Sequence, residues 1–297
     1  MIVRLESLTY VSMPEAPLDR EEYVEQAYFF RTYRERLEEG LSAQTILTSI
    51  HEELLSTTKL PLAVQFLAGE ILLNGKLSGG MARLPHYFSP FQTYVMRMAE
   101  EERSRFEQMT ALHVLEREAE FRSGSPTPAG LFVYQFESLS RNRLGYDRGL
   151  EAMAADSLYD ESWRAWMLKI RRLLGSADFA DLIYSRSEFY VSEQRRKRPN
   201  KDFRPKFPVL FAAKEGRIAW ANRGKDPLYM FAALQRHLNY PQVPFARPTF
   251  GPERDIPMLK AQVEQLEKRL QLVEAELKGN LDLSQFYTKP LGGKPTG

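Results

Sequence analysis

Apolar residues return every three or four positions through most of this chain, and that rhythm constrains its fold more than any other feature. Such spacing puts side chains on one face of a helix, whereas a strand needs strict alternation. Tyr23, Ala27, Phe30, Tyr33 and Leu37 keep the helical spacing until Gly40 ends the run. Asp19, three residues before Glu22, predicts a capping-box start with Asp in place of Ser or Thr. Ser42 predicts the cap of a second helix carrying Ile46, Leu47, Ile50 and Leu54. Pro61 suits the first turn of a third, with Val64, Leu67, Ile71 and Leu72 on one face. Gly75 and the Gly79-Gly80 pair read as breaks.

Ser89-Pro90 opens what reads as one long helix, running to about Arg122 through the polar stretch Glu100-Glu101-Glu102-Arg103. The run from Ser123 to Pro128 is the clearest breaker in the first half of the chain. Further helices are predicted over 129–140, about 160–174 (Trp163, Trp166, Met167, Ile170, Leu173, Leu174) and about 177–186.

The pattern changes near residue 187. Glu188-Phe189-Tyr190-Val191 reads as a short strand. Val209-Leu210-Phe211-Ala212 and Ile218-Ala219-Trp220-Ala221, separated by Lys214-Glu215-Gly216, read as a β-hairpin around 207–221. Asp226-Pro227 then caps a helix from Leu228 to Leu238. A lone hairpin is marginal in water, so the hairpin-helix element at 207–239 must pack on helices. The expected fold is therefore mainly α: a multi-helix core with one small β-hairpin and a C-terminal coiled-coil-like helix.

The domain reading follows. Residues 1–17 are an irregular N-terminus and 18–240 a helical core. Residues 241–254, with Pro241, Pro244, Pro248 and Pro252, are a connector. Residues 255–278 are a coiled-coil helix and 279–297 a flexible tail. Ile256, Leu259, Val263, Leu266, Leu270, Val273 and Leu277 form a heptad seam of about three heptads. A helix this short needs a partner, so these residues are the predicted partner-binding set. The partner is itself or another helical protein.

Composition excludes several functions. The chain has 297 residues with 43% hydrophobic side chains, enough for a sizeable core. It has no cysteine, so disulfides, thiolate metal sites and cysteine nucleophiles are out. Net charge is +2, from 41 basic and 39 acidic residues, so any nucleic-acid role must come from a local patch. No apolar run has the length of a signal peptide or a membrane span, so cytoplasmic residence without membrane insertion is expected.

Catalytic motifs fail on inspection. The segment from Gly69 to Leu77 approaches a phosphate loop, but the spacing is one residue too long and Leu77 lacks the required hydroxyl. His51-Glu52-Glu53-Leu54-Leu55 begins like a zinc-protease helix, yet Leu55 stands where the second histidine belongs. No histidine has a glutamate three residues before it, which a di-iron bundle requires. There is no G-x-S-x-G elbow. No metal or cofactor is expected, and no motif is specific enough to identify a family.

Two local clusters give alternatives to the interaction reading. Arg195, Arg196, Lys197, Arg198, Lys201, Arg204 and Lys206 lie among Tyr190, Phe203 and Phe207, a combination suited to single-stranded nucleic acid or phosphate. The block from Phe211 to Tyr240 mixes aromatic and polar side chains, with Arg217, Arg223 and His237 as candidates for a ligand pocket near 217–237. The favoured expectation is a non-enzymatic scaffold that associates through 256–277.

Overall fold

A computed structural model describes residues 18–101, 105–197 and 203–245, and these form thirteen α-helices. The chain divides into two compact units, Met1–Ala246 and Arg247–Gly297, and every described residue belongs to the first. The expected irregular N-terminus, the heptad helix and the tail lie outside the described residues.

The helices are α1 (Arg20–Glu38), α2 (Ala43–Glu53), α3 (Leu60–Asn74), α4 (Leu77–Ala82) and α5 (Pro90–Glu100). Then come α6 (Gln108–Ser123), α7 (Pro128–Asn142), α8 (Tyr146–Ala154) and α9 (Glu161–Ile170). The last are α10 (Phe179–Tyr184), α11 (Glu188–Lys197), α12 (Ala213–Ala221) and α13 (Pro227–Leu238). None is long and apolar enough to cross a membrane.

Sequence capping signals start several of these helices. Ser42 Oγ accepts from the Thr45 N–H at 3.2 Å. Ser89 and Gln92 complete a reciprocal capping box at α5. Asp226 Oδ1 accepts from the Leu228 N–H at 2.9 Å. The expected box at α1 is absent, because Glu22 turns inward. Its carboxylate takes the Lys59 N–H at 2.9 Å and the Tyr87 hydroxyl at 2.9 Å, tying α1 to the start of α3 and to the turn before α5.

α1 packs along α6, α2 against α3, and α4 against α5. In the second half, Phe132 of α7 is the hub of an aromatic cluster. Its ring centroid lies 5.5 Å from Trp163, 4.9 Å from Trp166 and 6.0 Å from Phe211. Phe136 stacks on Phe179 at 3.9 Å. Rings offset or edge-on at such distances add attraction beyond the area they bury.

Four expectations need correction. First, 207–221 is not a hairpin. Residues 213–221 are the helix α12, and Phe211 just before it enters the Trp163–Trp166 cluster. Phe211 pairs with Ser187 in a single parallel bridge, the Glu188 N–H donating to its carbonyl at 2.9 Å. The buried face of α12 is Glu215, Gly216 and Ala219, helical in spacing but made of residues that carry no apolar signal. Second, Glu188–Val191 opens α11 and is no strand, with Val191 the one buried side chain of that helix.

Third, the long helix from Ser89 is two helices. Residue 101 already has extended backbone, and Glu100 caps α4 by accepting from the Leu77 and Ser78 N–H groups at 2.6 and 3.0 Å. The two halves serve different neighbours: α5 packs on α4 and α8, whereas α6 follows α1. Fourth, Gly79-Gly80 does not break the chain. Both residues lie in α4, and Gly80 is buried where an added Cβ would run into Leu67.

Candidate functional site

α3 differs from its neighbours in being apolar on both sides. Its inner face buries Leu60, Ala63, Val64 and Leu67. Its outer face carries Leu62, Phe66, Gly69 and Leu73 at spacings of four, three and four, with Leu72 beside them. Leu62, Leu72 and Leu73 are 71%, 63% and 79% exposed, and Leu55 just upstream is 55% exposed. A Cβ added at Gly69 would meet no other part of the fold within 4 Å, so the middle of the stripe is open. Leu72, assigned from spacing to the buried face with Val64 and Leu67, in fact belongs to this outer face.

The charges around the stripe are few. Glu70, the one carboxylate of α3, is buried and ion-paired to Arg83. The Arg83 guanidinium sits 5.1 Å from the Phe66 ring centroid, a cation–π contact at the edge of the patch. Contiguous exposed apolar surface of this kind marks interaction sites in folded proteins more often than single scattered leucines do. Leu62 near the start of α3 and Leu72 and Leu73 near its end, with Phe66 and Gly69 between them, form such a stripe.

The basic stretch is only partly within the described residues; Arg198 and Lys201 lie outside them. Arg195, Arg196 and Lys197 occupy the exposed last turn of α11, where positive charge opposes the negative end of the helix dipole. Arg196 pairs with Glu193 at 3.2 Å and Arg195 Nε donates to the Phe203 carbonyl at 3.3 Å. The interleaved aromatics engage one another: Tyr190 lies 6.4 Å from Phe203 and 6.0 Å from Phe207. Arg186 covers the Phe207 ring at 4.7 Å. Phe207 is half-buried, whereas Lys206 beside it is exposed. These rings pack edge-on or tilted against one another and are half-buried in the local fold of 203–207.

Arg217, Arg223 and His237 are brought near one another in sequence but each has its own intramolecular task. Arg217 lies over Phe189 at 5.6 Å. Arg223 lies over Tyr184 at 4.2 Å and pairs with Asp181 at 2.5 Å. His237 Nε2 is 3.1 Å from the buried Glu215 Oε1, joining α13 to α12. Gly224 donates its N–H to Asp178 at 2.7 Å. The block thus acts as a pinned layer over α10 and α11.

Among the described residues, no group of three or more His, Asp or Glu is placed to hold a metal ion. A small recess of about 140 Å³ lies beside Arg34, His113 and Phe245. Burial holds the His113 imidazole below its ordinary value, with Arg34 and Arg117 acting in the same direction against Glu116 and Glu120.

Sequence reasoning missed the outer face of α3. The signal was present: apart from Gln65 and Glu70, every residue from Leu60 to Leu73 is apolar or glycine. A surface helix with one buried face does not need that. No family model matches the sequence, and no curated protein or solved structure is significantly similar to it.

Proposed function

We propose that this chain is a non-enzymatic interaction protein of the cytoplasm, which self-associates or grips a helical partner through the seam at 256–277. The observation that carries the reading is the run of seven apolar residues from Ile256 to Leu277 at heptad spacing. A seam of that length gains stability only by being covered. The outer face of α3 adds support, since the folded core itself displays apolar surface of the type that contacts other proteins. The nucleic-acid reading has less behind it, because Tyr190 already packs against both Phe203 and Phe207.

Light scattering after size exclusion tests the proposal on the full chain, on a chain ending at Gly251 and on Leu266→Asp/Leu270→Asp. A full chain heavier than one copy, with both variants reduced to one copy, supports self-association. A full chain of one copy that retains a helical protein from extract, lost in both variants, supports partner binding. Neither mass nor retention changing in the variants overturns the proposal.

A further inference from the structure

A cleft of about 410 Å³ opens between α5 and α8, with the end of α4 and the turn that follows it completing its floor. That volume is in the range of small-molecule sites, roughly 300–1,000 Å³. Its floor is apolar and rigid: Met81, Phe88 and Tyr94 are buried, and Met98 and Ala152 are half-buried. The Tyr94 hydroxyl is already committed, donating to the carbonyls of Leu144 and Gly145. Burial, then the Glu101 carboxylate, raises its pKa, so it stays protonated and holds that position.

The rim is charged. Arg97 enters from α5 and Arg148 from α8, both exposed, and neither forms an ion pair among the described residues. Of the two carboxylates that line the cleft, Glu151 lies 3.5 Å from Arg171, which stands outside it. Glu101 alone remains against two arginines. Two guanidinium groups from separate helices, above a floor of methionine and aromatic rings, suit a ligand with an anionic head and an apolar body. A guanidinium offers paired N–H donors in the plane of a carboxylate, sulfonate or phosphate.

We infer that this cleft is a binding site for a small amphiphilic anion, whose acidic group is held by Arg97 and Arg148 and whose apolar part lies on Met81, Phe88, Tyr94 and Met98. The site is independent of the seam at 256–277, so either proposal can fail alone.

Fluorescence titration of the full chain with 1-anilinonaphthalene-8-sulfonate tests this, with N-phenyl-1-naphthylamine as the uncharged counterpart. The sulfonate dye should bind at one site per chain. Arg97→Gln/Arg148→Gln should weaken it by about tenfold or more, the loss expected for charge-assisted hydrogen bonds. Glu101→Gln should tighten it, and the uncharged dye should respond to neither change. The substituted side chains are exposed, so an unchanged Tm verifies that the fold persists. A sulfonate dye that does not bind, or binds equally to the arginine variant, overturns the inference; the second result would place the dye on another apolar surface such as the outer face of α3.

Discussion

Arg122 Nη2 lies 3.0 Å from Glu118 Oε1, one turn back on α6, with both side chains sealed from water. Asp156 closes on the same guanidinium from the turn after α8. Gln135 of α7 donates to Glu118 at 2.7 Å and accepts from the Tyr159 hydroxyl at 2.8 Å. Burial alone would pull the Arg122 guanidinium down. The Asp156 and Glu118 carboxylates outweigh that and hold it above its ordinary value. The network ties α6, α7 and the approach to α9 into one unit.

The first prediction concerns that network. Arg122→Met leaves two buried carboxylates without their cation, and breaking a buried pair from one side costs about 3–5 kcal/mol. Removing all the charges, with Arg122→Met/Glu118→Gln/Asp156→Asn, should recover most of the loss, since matched apolar or neutral groups avoid the stranded charge. Urea unfolding of the three proteins checks this. Equal losses in the single and triple variants would show that packing, rather than charge, dominates here.

The second prediction rests on how α12 meets the start of α11. A Cβ added at Gly216 would overlap the Oγ and Cβ of Ser187, which is fully buried and hydrogen-bonded to the Tyr184 carbonyl at 2.7 Å. Gly216→Ala should therefore destabilise the fold by about 1–3 kcal/mol, as overpacking does. Adding Ser187→Gly should return part of it. If Gly216→Ala unfolds at the same urea concentration as the parent chain, the close approach is not a constraint.

That same contact explains what the sequence conceals about this region. Two short apolar runs, Val209–Phe211 and Ile218–Trp220, look like the arms of a hairpin, but Phe211 goes to the Trp163–Trp166 cluster while Trp220 stays 51% exposed. The residues that set the helix, Gly216 and Ala219, are buried by their smallness, and hydrophobic periodicity is blind to them. Where the buried face is made of large side chains, as with Phe30 and Tyr33 in α1 or Trp163, Trp166 and Met167 in α9, position and type are both legible. Ser42, Ser89 and Asp226 mark their helix starts because cap chemistry is local. The end of α5 at Glu100 and the start of α6 at Gln108 follow from the different neighbours the two helices pack against, which the local sequence does not announce. The cleft between α5 and α8 is hidden for the same reason: Arg97 and Arg148 are 51 residues apart, and only the packing of the two helices brings them to one rim.

The third prediction follows from the segment after α13. Tyr240 is buried and its hydroxyl donates to Glu137 Oε2 at 2.5 Å, while also reaching the Phe231 carbonyl at 3.0 Å. Burial and the Glu137 charge both raise its pKa, so the proton stays on the phenol. Glu137 itself is buried on α7 and shared with Arg141 at 2.5 Å. The bond fastens the chain leaving α13 to the middle of the core, and Val243 is buried just beyond it. Tyr240→Phe should cost about 1.5–3 kcal/mol, the range for a hydrogen bond to a charged group. It should also speed amide exchange over 238–243 before it changes exchange in α6. Uniform acceleration across both segments would mean that the bond reports global stability alone.

The fourth prediction is a pH dependence. Burial lowers the His113 pKa in the folded chain below its ordinary value of 6.5, aided by Arg34 and Arg117, with Glu116 and Glu120 opposing. A group that binds its proton less readily folded than unfolded makes the unfolded state gain protons first as pH falls. The stability linked to His113 is therefore fully present above the unfolded pKa. It is lost as pH drops from about 6.5 toward the lower folded value. Other ionisable groups contribute to any acid profile, so the informative quantity is the difference between the parent chain and His113→Gln. Between about pH 7.5 and about pH 5.5, across the unfolded histidine value, the parent should lose more stability than the variant. Parallel loss in both proteins, measured by urea unfolding at each pH, would show that His113 is as easily protonated in the fold as out of it. The half-buried recess beside Arg34 and Phe245 would then be better hydrated than its lining suggests.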